Sequence, residues 1–170
     1  MAAEQIRLLV VEDVPQVASH MRALLQAQSQ IKMLDVVTAG DRAVAAASEF
    51  KPDVVIVDAL LQGRVSGLQV AQGIREASPQ VGVVVLTVPQ NPVAENPTHG
   101  IDAVLKMPFS GFDLTTTVRK TYETRTVEAT RAGSMLVSLF SPKGGVGRTT
   151  IAYNLAVALA ASHRVCLIDG

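Results

Sequence analysis

Three acidic residues stand directly after apolar runs that are typical of buried strands. Glu12 and Asp13 follow the run Ile6–Val11, and Asp58 follows the run Asp53–Val57. In an open parallel sheet such residues meet, because ligands bind at the carboxyl ends of the strands. Three carboxylates at one edge repel one another unless a hard divalent cation such as Mg²⁺ lies between them. The spacing therefore predicts a Mg²⁺ site that would also neutralise a phosphoryl group.

A simpler interpretation of the same residues stays open. Acidic side chains near a helix start suit the helix dipole, so Glu12 and Asp13 would act only as helix caps, and Asp58 would only begin a loop. That interpretation is adequate for any one of the three alone. Their joint placement favours the pocket, and Thr87 adds a hydroxyl at the end of the fourth run, Val81–Thr87.

A second polar feature is the glycine-rich segment Ser141–Thr150. It follows one apolar run and opens a helical one, which is the context that a phosphate-binding loop requires. Glycines let backbone amides turn around phosphate oxygens, and the hydroxyl of Thr149 would ligate Mg²⁺. A glycine-rich turn without a ligand is the alternative. The candidate nucleotide-binding residues are Lys143, Gly144, Gly145, Val146, Gly147, Arg148, Thr149, Thr150 and, after the next run, Asp169.

Short, branched apolar runs recur along the chain and would position the acidic residues. Their uniform apolarity suits strands that are covered on both faces, whereas a sheet with one wet face would alternate. We therefore predict a five-stranded, doubly wound parallel α/β sheet, of the flavodoxin type. The predicted strands are Ile6–Val11, Ile31–Val37, Asp53–Val57, Val81–Thr87 and Ile101–Leu105.

Helix-like stretches lie between these runs. Three of them are regular, and a last helix would extend out of the domain as a connector; they are Pro15–Gln28, Asp41–Phe50, Gly67–Ala77 and Phe112 to about Arg131. The fourth crossover, Pro89–His99, contains three prolines, each without the amide hydrogen that a helix interior needs. We predict that this crossover is short or irregular.

The chain changes character near residue 134. We predict a strand over Met135–Phe140, a helix over Arg148–Ala161 and a strand over Val165–Ile168, in which Cys166 would be a buried, inert thiol. This is a P-loop βαβ unit that stops directly after a strand. The expected organisation is a first domain over 1–122, a helical connector over 123–134 and, over 135–170, the beginning of a second domain from a longer protein.

Over residues 5–122 the sequence resembles the receiver domains of two-component response regulators. The resemblance rests on three segments, LLVVED at 8–13, PDVVIVD at 52–58 and VVLT at 84–87. It implies that Asp58 accepts a phosphoryl group, that Asp13 and Asp58 ligate Mg²⁺ with the carbonyl of Leu60, and that Glu12 acts through water. It also implies that Thr87 hydrogen-bonds the phosphoryl oxygen and couples phosphorylation to loop position.

The sequence departs from the receiver pattern at three places. Met107 stands where the family has a lysine directly before a proline, and Lys106 would replace that lysine only if the strand bulged, since neighbouring side chains point to opposite sides. Val104 stands in place of the aromatic switch residue. The loop after Asp58 has no proline and is one residue longer. These departures leave open whether the domain switches or only docks and dimerises.

The glycine-rich segment resembles the deviant Walker A loop of ParA/MinD-type ATPases. The resemblance makes Lys143 the signature lysine that reaches a partner's nucleotide, and Asp169 the first aspartate of the second motif. Arg148 holds the ordinary Walker lysine position, and an arginine is not equivalent to a lysine at a tight phosphate site. We therefore expect binding of ATP with Mg²⁺ in the complete protein rather than hydrolysis.

A receiver followed by a ParA/MinD-like unit resembles the CpaE/TadZ-type proteins of Flp/Tad pilus assembly. The resemblance implies a cytoplasmic, pole-associated homodimer that docks pilus-assembly or polar proteins. The alternatives are an orthodox response regulator, phosphorylated on Asp58 by a histidine kinase, and an active ATPase. Lysine plus arginine equals aspartate plus glutamate at 15 each, so no charge excess indicates nucleic acid, and no run is long enough to span a membrane.

Overall fold

The computed structural model describes residues 5–26, 28–132, 136–143, 145–162 and 165–168, with the side chains of 128–132 left out. Backbone contacts divide the chain into two compact units, residues 1–133 and 134–170. Within the described residues, no helix is both long enough and apolar enough to cross a membrane.

The first unit is built on a five-stranded sheet in which all neighbouring strands are parallel, in the order β2-β1-β3-β4-β5. The predicted strand number and the parallel arrangement are thereby confirmed. β3 begins and ends one residue later than predicted, so that Asp58 is its last residue. The strands are β1 (Ile6–Val11), β2 (Ile31–Val37), β3 (Val54–Asp58), β4 (Gly82–Thr87) and β5 (Ala103–Lys106).

Helices cover both faces of the sheet, as expected for a doubly wound domain. The fourth crossover is irregular and contains only a 3-10 helix over Pro97–His99, which confirms the effect predicted for its prolines. The helices of this unit are α1 (Pro15–Gln26), α2 (Gly40–Phe50), α3 (Gly67–Ala77) and α4 (Gly111–Ala132).

Two apolar clusters form the core, one on each face of the sheet. Val55 and Val57 of β3 pack with α2 and α3 on one face, and Val54 and Ile56 pack with α1 and α4 on the other. All four side chains are fully buried. Because side chains alternate along a strand, the same five-residue element fills both clusters and presents Asp58 at the edge where it ends.

The second unit contains one helix among its described residues, α5 (Arg148–Ala160). The predicted strands are not found, since residues 136–140 and 165–168 form no ladder; Met135 lies outside the described residues. A strand needs a neighbour to take its backbone hydrogen bonds, and none is present in the described part of this unit. The thiol of Cys166, expected to be buried, is exposed for the same reason.

Candidate functional site

Glu12, Asp13 and Asp58 meet at the carboxyl edge of the sheet. Val11 of β1 lies opposite Val57 of β3 in the parallel register, so the residues that follow them are neighbours in space. One carboxylate oxygen from each of the three acids lies within 4.8 Å of the others. The predicted convergence is confirmed, and the three acids form a pocket that we call the acidic pocket.

Glu12 is the most deeply buried member of the acidic pocket, with 2% of its surface exposed. Its Oε1 accepts a hydrogen bond from the amide of Val14 at 2.9 Å. Burial, followed by the negative charges of Asp58 and Asp13, raises the pKa of Glu12 to about 7. Loss of the proton from this carboxyl group is therefore disfavoured first by burial and then by the neighbouring carboxylates.

The two aspartates are held by amides of the loop 59–66, which follows β3. The amide of Leu60 donates to Asp58 Oδ1 at 3.1 Å, and the amide of Gln62 donates to Asp13 Oδ2 at 2.9 Å. Burial and the nearby charge of Asp13 raise the pKa of Asp58 above its ordinary value, although the Leu60 amide opposes them. Asp13 Oδ1 is buried and has no hydrogen-bond partner within the described residues.

These residues fit a hard divalent cation. A buried carboxylate oxygen without a donor is costly, and three clustered carboxylates are costlier still, unless a cation compensates for both. Mg²⁺ prefers oxygen ligands and is usually bound by one or two carboxylates together with water. Asp13 and Asp58 would hold it directly and Glu12 through water, and the carbonyl of Leu60 remains a predicted ligand.

Thr87 ends β4 beside the acidic pocket and is 1% exposed. Its Oγ1 donates a hydrogen bond to the carbonyl of Asn91 and lies 3.5 Å from the carbonyl of Val88. The hydroxyl is therefore engaged with the crossover after β4. No residue pattern predicts the Asn91 contact, because its acceptor is a main-chain carbonyl that any residue carries.

The bulge that Lys106 would need in order to replace the missing lysine is not found where β4 and β5 pair, so its role stays a prediction without that support. β4 and β5 pair in unbroken register from Val84 with Ala103 to Thr87 with Lys106, so the required bulge is absent from this pair. Lys106 is exposed, and within the described residues it forms no ion pair with the acidic pocket. Its side chain follows the alternation of the strand.

Met107 makes the lysine position apolar. It packs, partly buried, against the core cluster that contains Leu105 and Leu114, and its peptide bond to Pro108 is cis. Together with its neighbours it lines an apolar cleft of about 300 Å³. The other residues of this cleft are Gln16, Val17, His20, Pro108 and Phe109, and the rings of His20 and Phe109 lie 5.7 Å apart.

In the second unit, the glycine-rich loop leads into α5 as predicted. Gly145 and Gly147 have φ values of 74° and 82°, a left-handed conformation that glycine adopts without strain. Gly147 caps the helix, and its carbonyl accepts the amide of Ile151 at 2.9 Å. Lys143 lies before the turn, and its amide donates a hydrogen bond to Ser141 Oγ at 3.3 Å. Gly144 and Asp169 lie outside the described residues.

The other loop residues keep their predicted place around the start of α5. Arg148, Thr149 and Thr150 form its first turn, and Val146 lies between the two left-handed glycines. Alternating left-handed glycines before a helix turn successive amides toward one side, which is the arrangement of anion-binding loops. This backbone is compatible with phosphate binding, and the role of these residues stays a prediction.

Comparisons with protein families agree with this division of the chain. The family model described as the response regulator receiver domain matches residues 8–119. The model of the CobQ/CobB/MinD/ParA nucleotide binding domain matches residues 137–170. The first match includes the three acids of the acidic pocket and Thr87. The second takes in the glycine-rich loop and α5.

Curated relatives include two response regulator proteins VraR. The protein of Staphylococcus epidermidis is 31% identical over 124 residues, which are 72% of this chain and 59% of that protein. The protein of Staphylococcus aureus is 30% identical over 118 residues, which are 68% of this chain and 56% of that protein. The chain thus spans little more than half the length of these relatives.

Solved structures share the fold of the first unit. The receiver domain of NtrX from Brucella abortus has a TM-score of 0.60 at 24% identity, covering 69% of this chain and 98% of that one. The signal receiver domain of a modulated diguanylate cyclase from Desulfovibrio desulfuricans has a TM-score of 0.63 at 21% identity, covering 74% and 99%. At these identities the likeness concerns the fold alone.

Proposed function

The chain belongs to the response regulator receiver family, and from that premise we propose that Asp58 accepts a phosphoryl group with the help of Mg²⁺. The observation that carries the proposal is the acidic pocket itself. Three carboxylates lie with oxygens within 4.8 Å of one another, and a buried oxygen of Asp13 has no hydrogen-bond partner among the described residues. A cation that satisfies this oxygen also neutralises an incoming phosphoryl group.

The reaction transfers a phosphoryl group from a donor to a carboxylate. An oxygen of Asp58 attacks phosphorus, the new P–O bond forms, and the bond from phosphorus to the donor's leaving group breaks. The leaving group, an imidazole of a histidine kinase or an acetate of acetyl phosphate, departs with the bonding electrons. The Leu60 amide on Oδ1 orients the carboxylate for this attack. Mg²⁺, when bound, supplies the positive charge that lets two anions approach.

The response to phosphorylation is expected to be weaker than in receivers with the lysine. Thr87 must leave the carbonyl of Asn91 before its hydroxyl reaches a phosphoryl oxygen. Met107 has no donor hydrogen and no charge, so it forms no ion pair with the phosphoryl group. The acidic pocket therefore keeps the groups for accepting phosphate, whereas the groups that sense phosphate are incomplete.

Phosphorylation by acetyl phosphate with MgCl2 tests the proposal. We expect the intact mass of the chain to rise by one phosphoryl group, and the gain to vanish in Asp58→Asn. Asp41→Asn, which changes an exposed aspartate in the first turn of α2, is the matched control and should gain phosphate like the wild type. Absence of the gain in wild type, or its persistence in Asp58→Asn, would contradict the assignment.

Beryllofluoride, which mimics the phosphoryl group, tests whether the domain switches. An orthodox response regulator would show changes in amide resonances at both Asp58 and Thr87. A domain that only docks and dimerises would show none at Thr87. We expect changes at Asp58 and small ones at Thr87, and Asp58→Asn should abolish both.

A second candidate function concerns the whole protein. A receiver over 1–122, a connector over 123–134 and a nucleotide-binding unit from 135 onward are the organisation of CpaE/TadZ-type assembly factors, and the family match at residues 137–170 favours this candidate. It would act as a homodimer, in the bacterial cytoplasm and at the pole, by binding pilus-assembly proteins. A fluorescent fusion that stays diffuse in pilus-forming cells, or a chain that sediments as a monomer at micromolar concentration, would contradict it.

The nucleotide site belongs to this second candidate. We expect ATP with Mg²⁺ to bind the glycine-rich loop through backbone amides and Lys143, with Arg148 neutralising phosphate rather than promoting hydrolysis. The test measures ATP binding and turnover by the protein and by Arg148→Ala. ATP turnover that Arg148→Ala abolishes would favour an active ATPase instead, and binding without turnover would favour the assembly factor.

A further inference from the structure

The loop 59–66 is anchored at both ends, between β3 and α3. The amide of Ala59 donates to the carbonyl of Leu86 at 2.9 Å, and the side chain of Leu61 is 7% exposed within the core. At the far end, Gly67 approaches β3 so closely that a Cβ there would lie 1.8 Å from the carbonyl oxygen of Asp58. These contacts anchor both ends of the loop.

Two amides of this loop point into the acidic pocket. Leu60 and Gln62 alternate with the buried Leu61, so their amides serve Asp58 Oδ1 and Asp13 Oδ2, respectively. Each aspartate thereby gives one oxygen to the loop. For Asp13 the remaining oxygen, Oδ1, is the buried one without a partner among the described residues.

We propose that the backbone amide of Gln62 is the positioning group of the metal site, which holds the Asp13 carboxylate so that Oδ1 faces the cation. The proposal rests on the Mg²⁺ site described under the proposed function. A donor on the outer oxygen of a ligating carboxylate fixes its rotation, and such partners tune metal affinity. Without this hydrogen bond the Asp13 carboxylate would rotate between orientations. Fixing one of them on Mg²⁺ binding would cost entropy and would weaken the binding.

The absence of proline from the loop leaves the amide hydrogen of Gln62 available for this contact. Proline has no amide hydrogen, and the segment 59–66 contains none. The side chain of Gln62 is exposed, so the contribution comes from the main chain and any residue other than proline can supply it. Substitution by proline therefore removes one hydrogen, whereas substitution by alanine keeps it.

The test compares Mg²⁺ binding by the whole chain and two variants at residue 62. Titration of the chain with MgCl2, followed by amide resonances of the acidic pocket, gives the dissociation constant. We expect Gln62→Pro to bind Mg²⁺ about tenfold more weakly or worse, the range for loss of an outer partner. Gln62→Ala separates main chain from side chain and should retain wild-type affinity. Thermal unfolding shows whether Gln62→Pro remains folded.

A measurement on the wild-type chain makes the test independent of any variant's folding. A scalar coupling across the hydrogen bond, between the nitrogen of Gln62 and the carboxyl carbon of Asp13, should be present and should persist when Mg²⁺ is bound. Its absence would overturn the inference, as would equal affinities of wild type and a folded Gln62→Pro, or a loss of affinity in Gln62→Ala. A wild-type chain that binds no Mg²⁺ would instead remove the metal site of the proposed function.

Discussion

Two groups of buried charge lie at opposite ends of the strands, which we call the amino edge and the carboxyl edge of the sheet. They differ in whether ion pairs compensate the charge. At the amino edge, Asp102 precedes β5 and pairs with Arg75 of α3, at 2.6 Å, and with Arg125 of α4. It also accepts the amide of Val83 at 2.8 Å. At the carboxyl edge, the acidic pocket forms no ion pair within the described residues.

The difference separates a structural site from a site for chemistry. Asp102 is compensated by the fold itself and ties α3, β4 and α4 together. The acidic pocket has no such ion pair among the described residues, which costs stability and fits the cation and phosphoryl group proposed for it. The same residue type serves both purposes, and its neighbours decide which.

The largest effect is expected at the amino edge. Asp102→Asn leaves two arginines largely buried without their carboxylate, and loss of one partner of a buried pair costs about 3–5 kcal/mol. We expect the free energy of unfolding in urea to fall by that amount while Mg²⁺ affinity stays at the wild-type value. Asp41→Asn, at an exposed position, should change neither. A parallel loss of Mg²⁺ affinity in Asp102→Asn would break the separation between the two edges.

The next effect is a dependence of stability on pH that comes from the carboxyl edge. The pKa of Glu12 is raised from 4.5 to about 7, so between these pH values the folded state keeps a proton that the unfolded state has released. Stability must therefore fall as the pH rises through this range, by about 3 kcal/mol in all, and must level off above it. Urea unfolding from pH 4.5 to 8 without divalent ions measures this fall.

Glu12→Gln is the control for that pH dependence, because the amide has no proton to release. We expect the variant to lose most of the slope. Part should remain, since the raised pKa of Asp58 acts in the same direction. An unchanged slope in Glu12→Gln would show that another group is responsible.

Removal of a metal ligand is expected to change the free energy of Mg²⁺ binding by a similar amount. Asp13→Asn removes the charge of the ligand whose Oδ1 has no hydrogen-bond partner among the described residues. We expect Mg²⁺ affinity to fall at least about 100-fold, which is the upper end of the loss measured for partners outside the ligand shell. Calorimetric titration measures it. Stability without Mg²⁺ should not fall, because less negative charge is crowded at the edge; a large loss of stability would contradict this interpretation.

The smallest expected effect comes from placing a cation at the carboxyl edge. Met107→Lys would supply a charge-assisted hydrogen bond to the phosphoryl group, and we expect beryllofluoride to bind about tenfold more tightly, near the lower end for such bonds. Lys106→Met is the matched control and should leave binding unchanged, because Lys106 is exposed and unpaired with the pocket. Equal binding by wild type and Met107→Lys would show that Met107 does not stand where the phosphoryl group is sensed.

Much of the first unit could be predicted because each strand carries its own signal. The apolar runs predicted the five strands to within two residues, and the acidic residues that follow them predicted the pocket. The prolines of the fourth crossover predicted its irregularity. These features depend on residue types and short spacings, which the sequence states directly.

The contacts that were missed join distant residues or the main chain. Asp102 lies 27 residues from Arg75 and 23 from Arg125, and no local pattern connects them. The Gln62 amide carries no side-chain signal apart from the absence of proline. The strands predicted within 136–140 and 165–168 failed for a related reason, since apolar residues there, such as Ile168 at 83% exposed, have no described neighbouring strand to bury them.

The most direct measurement identifies the residue that carries phosphate. The chain is treated with acetyl phosphate and MgCl2, the acyl phosphate is reduced with borohydride, and peptides are sequenced by mass spectrometry. Reduction converts a phosphorylated aspartate into homoserine. If the uncompensated carboxyl edge is a phosphoacceptor site, homoserine will appear at Asp58 and only when Mg²⁺ is present. Homoserine at another acidic residue, or at none, would contradict it.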